Sequence, residues 1–117
     1  FEVHVWRGDL LCGSIRLRDF DAVNRSANIG YFIAGDLQGR GLATRAVGAV
    51  LEWAFEVLQL HRIGLRCAAM NTASAALAHR LGFTLEGRLR DCELIDGVYS
   101  DDLAFSRLRT DRIGTTT

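Results

Sequence analysis

The sequence has no lysine and no proline, its formal net charge is zero, and no apolar run is long enough to span a bilayer. Each absence removes a class of reading. All fourteen basic residues are arginines, so a Walker phosphate loop, which needs Gly-Lys-Ser/Thr, is excluded. A neutral chain carries no global field to attract nucleic acid or an anionic membrane. No signal-peptide pattern is visible, and cytoplasm is the expected location. Cys12, Cys67 and Cys92 are odd in number, far apart and set in apolar runs, which argues against a disulfide framework or a CxxC metal site. They are expected to be reduced and mostly buried. His4, His61 and His79 show no metal-like spacing, and no metal is expected. The missing proline carries no functional reading.

What is present is ordinary for a globular protein. Half of the 117 residues are apolar and a quarter charged, enough for one domain with its own core. Phe1, Val3 and Val5 alternate with Glu2, His4 and Trp6. Past Gly8-Asp9, Gly13, Ile15 and Leu17 alternate with Ser14, Arg16 and Arg18, which predicts a hairpin. A polar loop is expected over Asp19–Ala27, then a third strand over Asn28–Ala34, in which Gly30 suggests a bulge or a close backbone approach. From Gly41 to Leu58 the polar positions Arg45, Glu52 and Glu56 leave a wide apolar face, the pattern of a helix packed on a sheet. Arg62–Ala68 reads as a fourth strand. Asn71 is the expected N-cap of a short helix through Leu81, closed by Gly82. Phe83–Ile95 and Val98–Leu108 read as two strands joined at Asp96-Gly97, a strong hairpin signal. The tail, 110–117, is expected to be flexible, leaving 1–109 as the domain.

The stretch Gln38-Gly39-Arg40-Gly41-Leu42-Ala43 joins the third strand to the long helix. Two glycines let the backbone approach a ligand closely. The helix start adds N–H groups without internal partners and the positive end of the dipole, so an anion could be bound there. It is not a dinucleotide fingerprint, because the last glycine of Gly-x-Gly-x-x-Gly is missing. Without other information such a turn is more often a plain connection than a phosphate site.

In Gln38, Gly41 and Ala43 the turn resembles the Gln/Arg-x-x-Gly-x-Gly/Ala signature of the GNAT N-acetyltransferase superfamily, and the likeness extends from Phe1 to Leu108. The run Asn71-Thr72-Ala73-Ser74, then Leu81-Gly82-Phe83, Glu86-Gly87-Arg88 and Asp96-Gly97-Val98-Tyr99 is similar to the branch that acetylates N-termini of ribosomal proteins, the Rim-type enzymes. The resemblance implies an α+β fold with a mixed, mostly antiparallel twisted sheet, splayed at the cofactor site, and two main helices. It implies acetyl-CoA as co-substrate, held by Phe32, Ile33, Ala34, Gln38, Gly39, Arg40, Gly41, Leu42, Ala43 and Asn71. The implied acceptor is a primary amine, most readily a protein N-terminus; no nucleic acid or membrane partner is expected, and the chain is expected to be a monomer or homodimer. No lysine is available for self-acetylation. The strand and two helices that the family places ahead of Phe1 are absent from this sequence, which therefore reads as a fragment or a processed piece. The tyrosine that many members carry four residues before the glycine of Leu-Gly-Phe is Ala78 here.

The chemistry implied is direct attack in a ternary complex. A backbone N–H near Phe32–Ala34 is expected to polarise the thioester carbonyl. Glu93, which alternation places on the side of Asp91 and Ile95, is the candidate base, and Ser74 the candidate acid. Asn71 and Ser74 also fit the plain role of satisfying helix-end N–H groups, and Glu93 that of an exposed strand carboxylate. Glu86 is the weaker candidate base, and Tyr31 reads as core or pocket wall. Two alternatives stay open: an acetyl-CoA-binding module without transfer activity, and an acetyltransferase of a small-molecule amine.

Overall fold

The computed structural model describes residues 1–34 and 41–111. One six-stranded sheet is built from β1 (Glu2–Arg7), β2 (Leu10–Asp21), β3 (Ser26–Ile33), β4 (Arg62–Ala68), β5 (Thr84–Ile95) and β6 (Val98–Leu108). Two helices, α1 (Leu42–Glu56) and α2 (Thr72–Arg80), follow β3 and β4. The strand order is β1-β2-β3-β4-β6-β5, with β3 and β4 parallel and every other pair antiparallel. The parallel pair is where the chain must cross over, and α1 is that crossover.

Both helices share one core with one face of the sheet. Val47, Leu51 and Phe55 of α1 and Leu77 and Ala78 of α2 meet Ile15, Leu17, Ile29, Ile63, Leu65 and Phe105. These strand residues recur at every second position, so their neighbours Arg16, Arg18, Asn28, Gly30, Arg66 and Asp102 project on the opposite face.

The polar loop is shorter than the sequence suggests. β2 runs on to Asp21, whose carboxylate accepts from the Asn24 backbone N–H at 3.0 Å and its carboxamide at 2.7 Å, a local turn that returns the chain into β3 at Ser26. Gly30 sits at no bulge. It pairs regularly with Arg16, and the irregularities fall at Val5/Trp6, between Arg18 and Asp21, and in β5. The close approach is at Gly13, where a Cβ would lie 2.1 Å from the Phe32 carbonyl oxygen. The Asp96-Gly97 hairpin is as read, with both residues left-handed at φ 49° and 78°, the type I′ requirement. Of the cysteines, Cys12 and Cys67 are buried but Cys92 is exposed on β5. Beside the expected domain end at residue 109 the Leu108 N–H donates to Asp111 Oδ2 at 2.9 Å; 112–117 lie outside the described residues.

Candidate active site

The sheet is open at its parallel pair. The β3–β4 ladder runs from Ser26↔Arg62 to Ile29↔Leu65 and ends there, although β3 continues to Ile33 and β4 to Ala68. Each strand stays paired on its other edge, β3 with β2 and β4 with β6, so two stiff half-sheets diverge around a cleft of about 960 Å³. The cleft is lined from both faces of the sheet. On the helix side are Tyr31, Ser74, Leu77 and Arg80; on the other are Arg16, Arg18, Arg66 and Glu93.

At the helix-side mouth α1 begins. Gly41, at φ 73°, is its N-cap and has no side chain to bond the first-turn N–H groups. Leu42 and Ala43 pack beside Ile33 and Cys12, fixing α1 to the end of β3. Gln38, Gly39 and Arg40 lie outside the described residues. In β3 the predicted polarising amide narrows. The Ala34 N–H is held by the Cys12 carbonyl at 2.7 Å, and alternation turns the Phe32 N–H toward β2 as well. The Ile33 amide is the one of the three turned toward the cleft. Phe32 instead presents an exposed ring on the face away from the helices. The divergent strand edge and the uncapped helix start suit an extended amide-bearing arm ending in a pyrophosphate, so the described residues fit acetyl-CoA.

Asn71 caps α2, its Oδ1 accepting from the Ser74 N–H at 3.1 Å. The cap uses only the oxygen, and the carboxamide nitrogen remains a separate donor on the cleft wall. Ser74 is buried, and its Oγ accepts from the Tyr31 hydroxyl at 3.1 Å. Tyr31 is therefore more than wall: its phenol reaches from β3 to the predicted acid. Ala78 is fully buried one turn on. Burial pushes the Cys67 thiol up, the nearby Ser74 hydroxyl pulls the other way, and the Asp102 charge adds to the rise. Cys67 is a protonated thiol at neutral pH, unsuited to nucleophilic attack.

On the other face Glu93 is brought into the cleft by a bulge. β5 pairs Leu89 with Asp102 and Glu93 with Ser100, so two extra residues lie on β5. The bulge is held at Asp91, φ 47°, whose N–H donates to Asp101 Oδ1 at 2.8 Å. It breaks the alternation that linked Glu93 to Asp91; Ile95, two residues on, does share the cleft with Glu93. The buried Asp102 carboxyl beside Glu93 raises the Glu93 pKa, by favouring a proton between the two groups and by charge repulsion, against the opposing Arg66. Asp102 Oδ1 is buried with no hydrogen-bond donor among the described residues. Arg66 Nε lies 3.5 Å from the other Asp102 oxygen. Asp102 had escaped sequence reading, yet the Asp96-Gly97 turn fixes Ser100 opposite Glu93, and Asp102 follows two residues later on the same face.

Glu86 is differently placed. Arg62 grips it with two hydrogen bonds of 2.7 and 2.8 Å and Ser106 Oγ donates at 2.7 Å. Its pKa falls to about 2, with Arg62 the main cause and Ser106 the second, which makes it a poor base. Among the described residues no group of three His, Cys, Asp or Glu side chains could hold a metal ion.

Residues 1–84 match a family model described as an acetyltransferase (GNAT) domain. The chain is 40% identical over 99 residues to Bacillus subtilis (strain 168) YdaF, whose name assigns it provisionally as a ribosomal N-acetyltransferase; the match covers 85% of this chain and 54% of that protein. It is 30% identical to the ribosomal-protein-serine acetyltransferase of Escherichia coli (strain K12), covering 89% of this chain and 58% of the relative. A solved structure of a Vibrio cholerae spermidine N-acetyltransferase mutant superposes with a TM-score of 0.88 at 30% identity, covering 93% of this chain and 65% of the other. This chain thus spans little more than half the length of the curated relatives it matches.

Proposed function

The chain belongs to the acetyltransferase (GNAT) family, and on that footing we propose that it transfers an acetyl group from acetyl-CoA to a primary amine, the N-terminal α-amine of a protein being the preferred acceptor. The observation that carries the reading is the cleft at the end of the β3–β4 ladder, which joins a carboxyl pair on one face of the sheet to a hydroxyl pair on the other. Acetyl-CoA supplies the electrophile, a thioester carbonyl whose departing sulfur needs a proton.

The residues divide the work by face. Glu93, exposed to the cleft and backed by Asp102, takes the proton of the attacking amine. An α-amine with a pKa near 8 asks less of that base than a lysine near 10.4. When acetyl-CoA is bound, the end of β3 near Phe32–Ala34 would polarise the thioester carbonyl and the start of α1 would hold the pyrophosphate. Ser74 Oγ, which receives a hydrogen bond from Tyr31, keeps its own proton to donate toward the sulfur. Ser74 is buried and Tyr31 half-buried, which limits the access of bulk water to the pair. Cytoplasm, where acetyl-CoA and new protein N-termini meet, is the compartment this reading assigns; no described helix is long and apolar enough to cross a membrane.

The reading is tested by incubating the protein with acetyl-CoA and a set of unblocked peptides and small amines, then locating the acetyl by fragmentation mass spectrometry. Acetylation of α-nitrogen in preference to side-chain amines is expected. Tight acetyl-CoA binding with no transfer to any amine would establish the binding-module alternative.

A further inference from the structure

The acceptor side of the cleft is lined by guanidinium groups, and their partners differ. Arg16 Nε is held by Glu2 at 3.1 Å, and Arg66 Nε faces Asp102 at 3.5 Å. Arg80, on the helix side, turns its Nε to Thr44 Oγ1 at 3.4 Å. Arg18 has no carboxylate partner among the described residues. It projects from β2 on the same face as Arg16, beside the point where the β3–β4 ladder ends. Its partner across the strands is Asn28, and its side chain reaches diagonally to Gly30, where its Nη2 lies 3.7 Å from where a Cβ would stand. The missing side chain leaves a shallow bay in which this guanidinium lies over β3, at the cleft wall.

We propose that Arg18 receives an anionic group of the acceptor, so that the preferred substrate is an amine with a carboxylate or phosphate a few bonds away. The proposal rests on the transfer reading above, since the amine must reach Glu93. A guanidinium with no internal carboxylate gains most from a planar anion, which it can bind through two N–H groups. A polyamine meets the reverse situation. Its second and third ammonium groups need carboxylates, but Glu93 is the one carboxylate side chain lining the cleft among the described residues, and it is engaged by Asp102. Arg16 and Arg18 would face those ammonium groups with like charge, and like-charge juxtaposition selects against a partner. The same chemistry can come from an acidic residue early in a peptide, from a phosphorylated residue, or from a small amino acid.

The test uses peptides identical except at the second and third residues, which are Asp-Asp, Ser-Ser, phosphoserine-Ser or Arg-Arg, together with a free amino acid and spermidine. Transfer is read as kcat/KM. Binding is read independently, as fluorescence anisotropy of the N-acetylated peptides with CoA-saturated protein. The acidic and phosphorylated peptides should exceed Arg-Arg by about ten-fold or more in both readouts, the gap shrinking as salt is raised. Arg18→Gln should flatten the series and Arg18→Glu invert it, while the exposed position leaves the melting temperature unmoved. Preference for the free amino acid over every peptide would identify the small molecule as the source of the anion and still support the proposal. Transfer without charge preference, a preference for Arg-Arg or spermidine, or a preference unchanged in Arg18→Gln would overturn the proposal and leave the transferase reading standing. Charge-selective peptide binding without any transfer would overturn the transferase reading and leave Arg18 as an anion site, and failure of both readouts would overturn both.

Discussion

The carboxyl of Glu93 meets the buried carboxyl of Asp102 across a bulge that gives β5 two residues more than β6 between their flanking pairs. With Asp102 beside it, Glu93 cannot be ionised without cost, so Glu93 retains its proton to a higher pH than an ordinary glutamate. Arg66, beside Asp102, limits that rise. The consequence is a base poised closer to the pKa of an N-terminal amine than a free carboxylate is, which improves proton transfer as long as the working pH stays above the raised value.

The hydroxyl pair makes a separate prediction. Tyr31→Phe keeps the ring and removes the hydrogen bond to Ser74; Ser74→Ala removes the donor itself. Both should lower kcat, Ser74→Ala by about ten-fold and Tyr31→Phe by less, because solvent can also protonate a thiolate. The double variant should be no slower than Ser74→Ala, since both changes interrupt one path. Affinity for acetyl-CoA, measured by calorimetry, should change little. Additive losses in the double variant would mean that the two hydroxyls act separately.

Gly41 tests the phosphate turn. Because its φ is 73°, a valine there strains the backbone by about 1–2 kcal/mol as well as crowding the start of α1. Gly41→Val should therefore both weaken CoA binding and lower the melting temperature. This differs from a purely local effect, in which the fold would be untouched. A variant that binds CoA as tightly as the parent would remove Gly41 from the binding site.

Glu86 makes a prediction about stability. Its folded pKa, about 2, lies below the ordinary 4.5 because Arg62 and Ser106 hydrogen-bond the ionised form. A depressed carboxylate stabilises the fold above its unfolded pKa, and that contribution is lost as pH falls from about 4.5 through 2. Glu86→Gln should lower the melting temperature at pH 7 and make little difference near pH 2. The effect should be small, since both partners are more than a third exposed. Activity at neutral pH should respond far less than in Glu93 variants, since Glu86 does not line the cleft.

The parts of this molecule legible in the sequence were those set by local rules. Alternation marked β1 and β2, Asn71 marked the start of α2, and Asp96-Gly97 marked the last hairpin. The extra reach of β2 to Asp21 was hidden, because the Asp21–Asn24 turn looks in sequence like any polar loop. The bulge in β5 was hidden for a different reason. Leu89-Arg90-Asp91-Cys92-Glu93 carries no glycine to announce it, and Asp91 adopts its left-handed φ because Asp101 on the next strand holds its N–H. The same holds for Tyr31 and Asp102, whose roles depend on partners 43 residues away in one case and across a hairpin in the other. Glu93 and Ser74 were found through the family pattern, whereas the groups that bear on them were found only by register and packing.

The most direct measurement of the central claim is kcat/KM for one N-terminal peptide as a function of pH in the wild type, Glu93→Gln and Asp102→Asn. Only the ionised carboxyl can accept the proton, so the wild-type rate should fall on the acid side at a pH above the usual glutamate range. Asp102→Asn removes the repelling charge and offers an N–H to Glu93, which should move that limb to lower pH. Glu93→Gln should lose about 10²-fold at neutral pH, less at high pH where the amine is already neutral, and no longer show the limb. An acid limb that stays in place in both variants would contradict the assignment of Glu93, backed by Asp102, as the base.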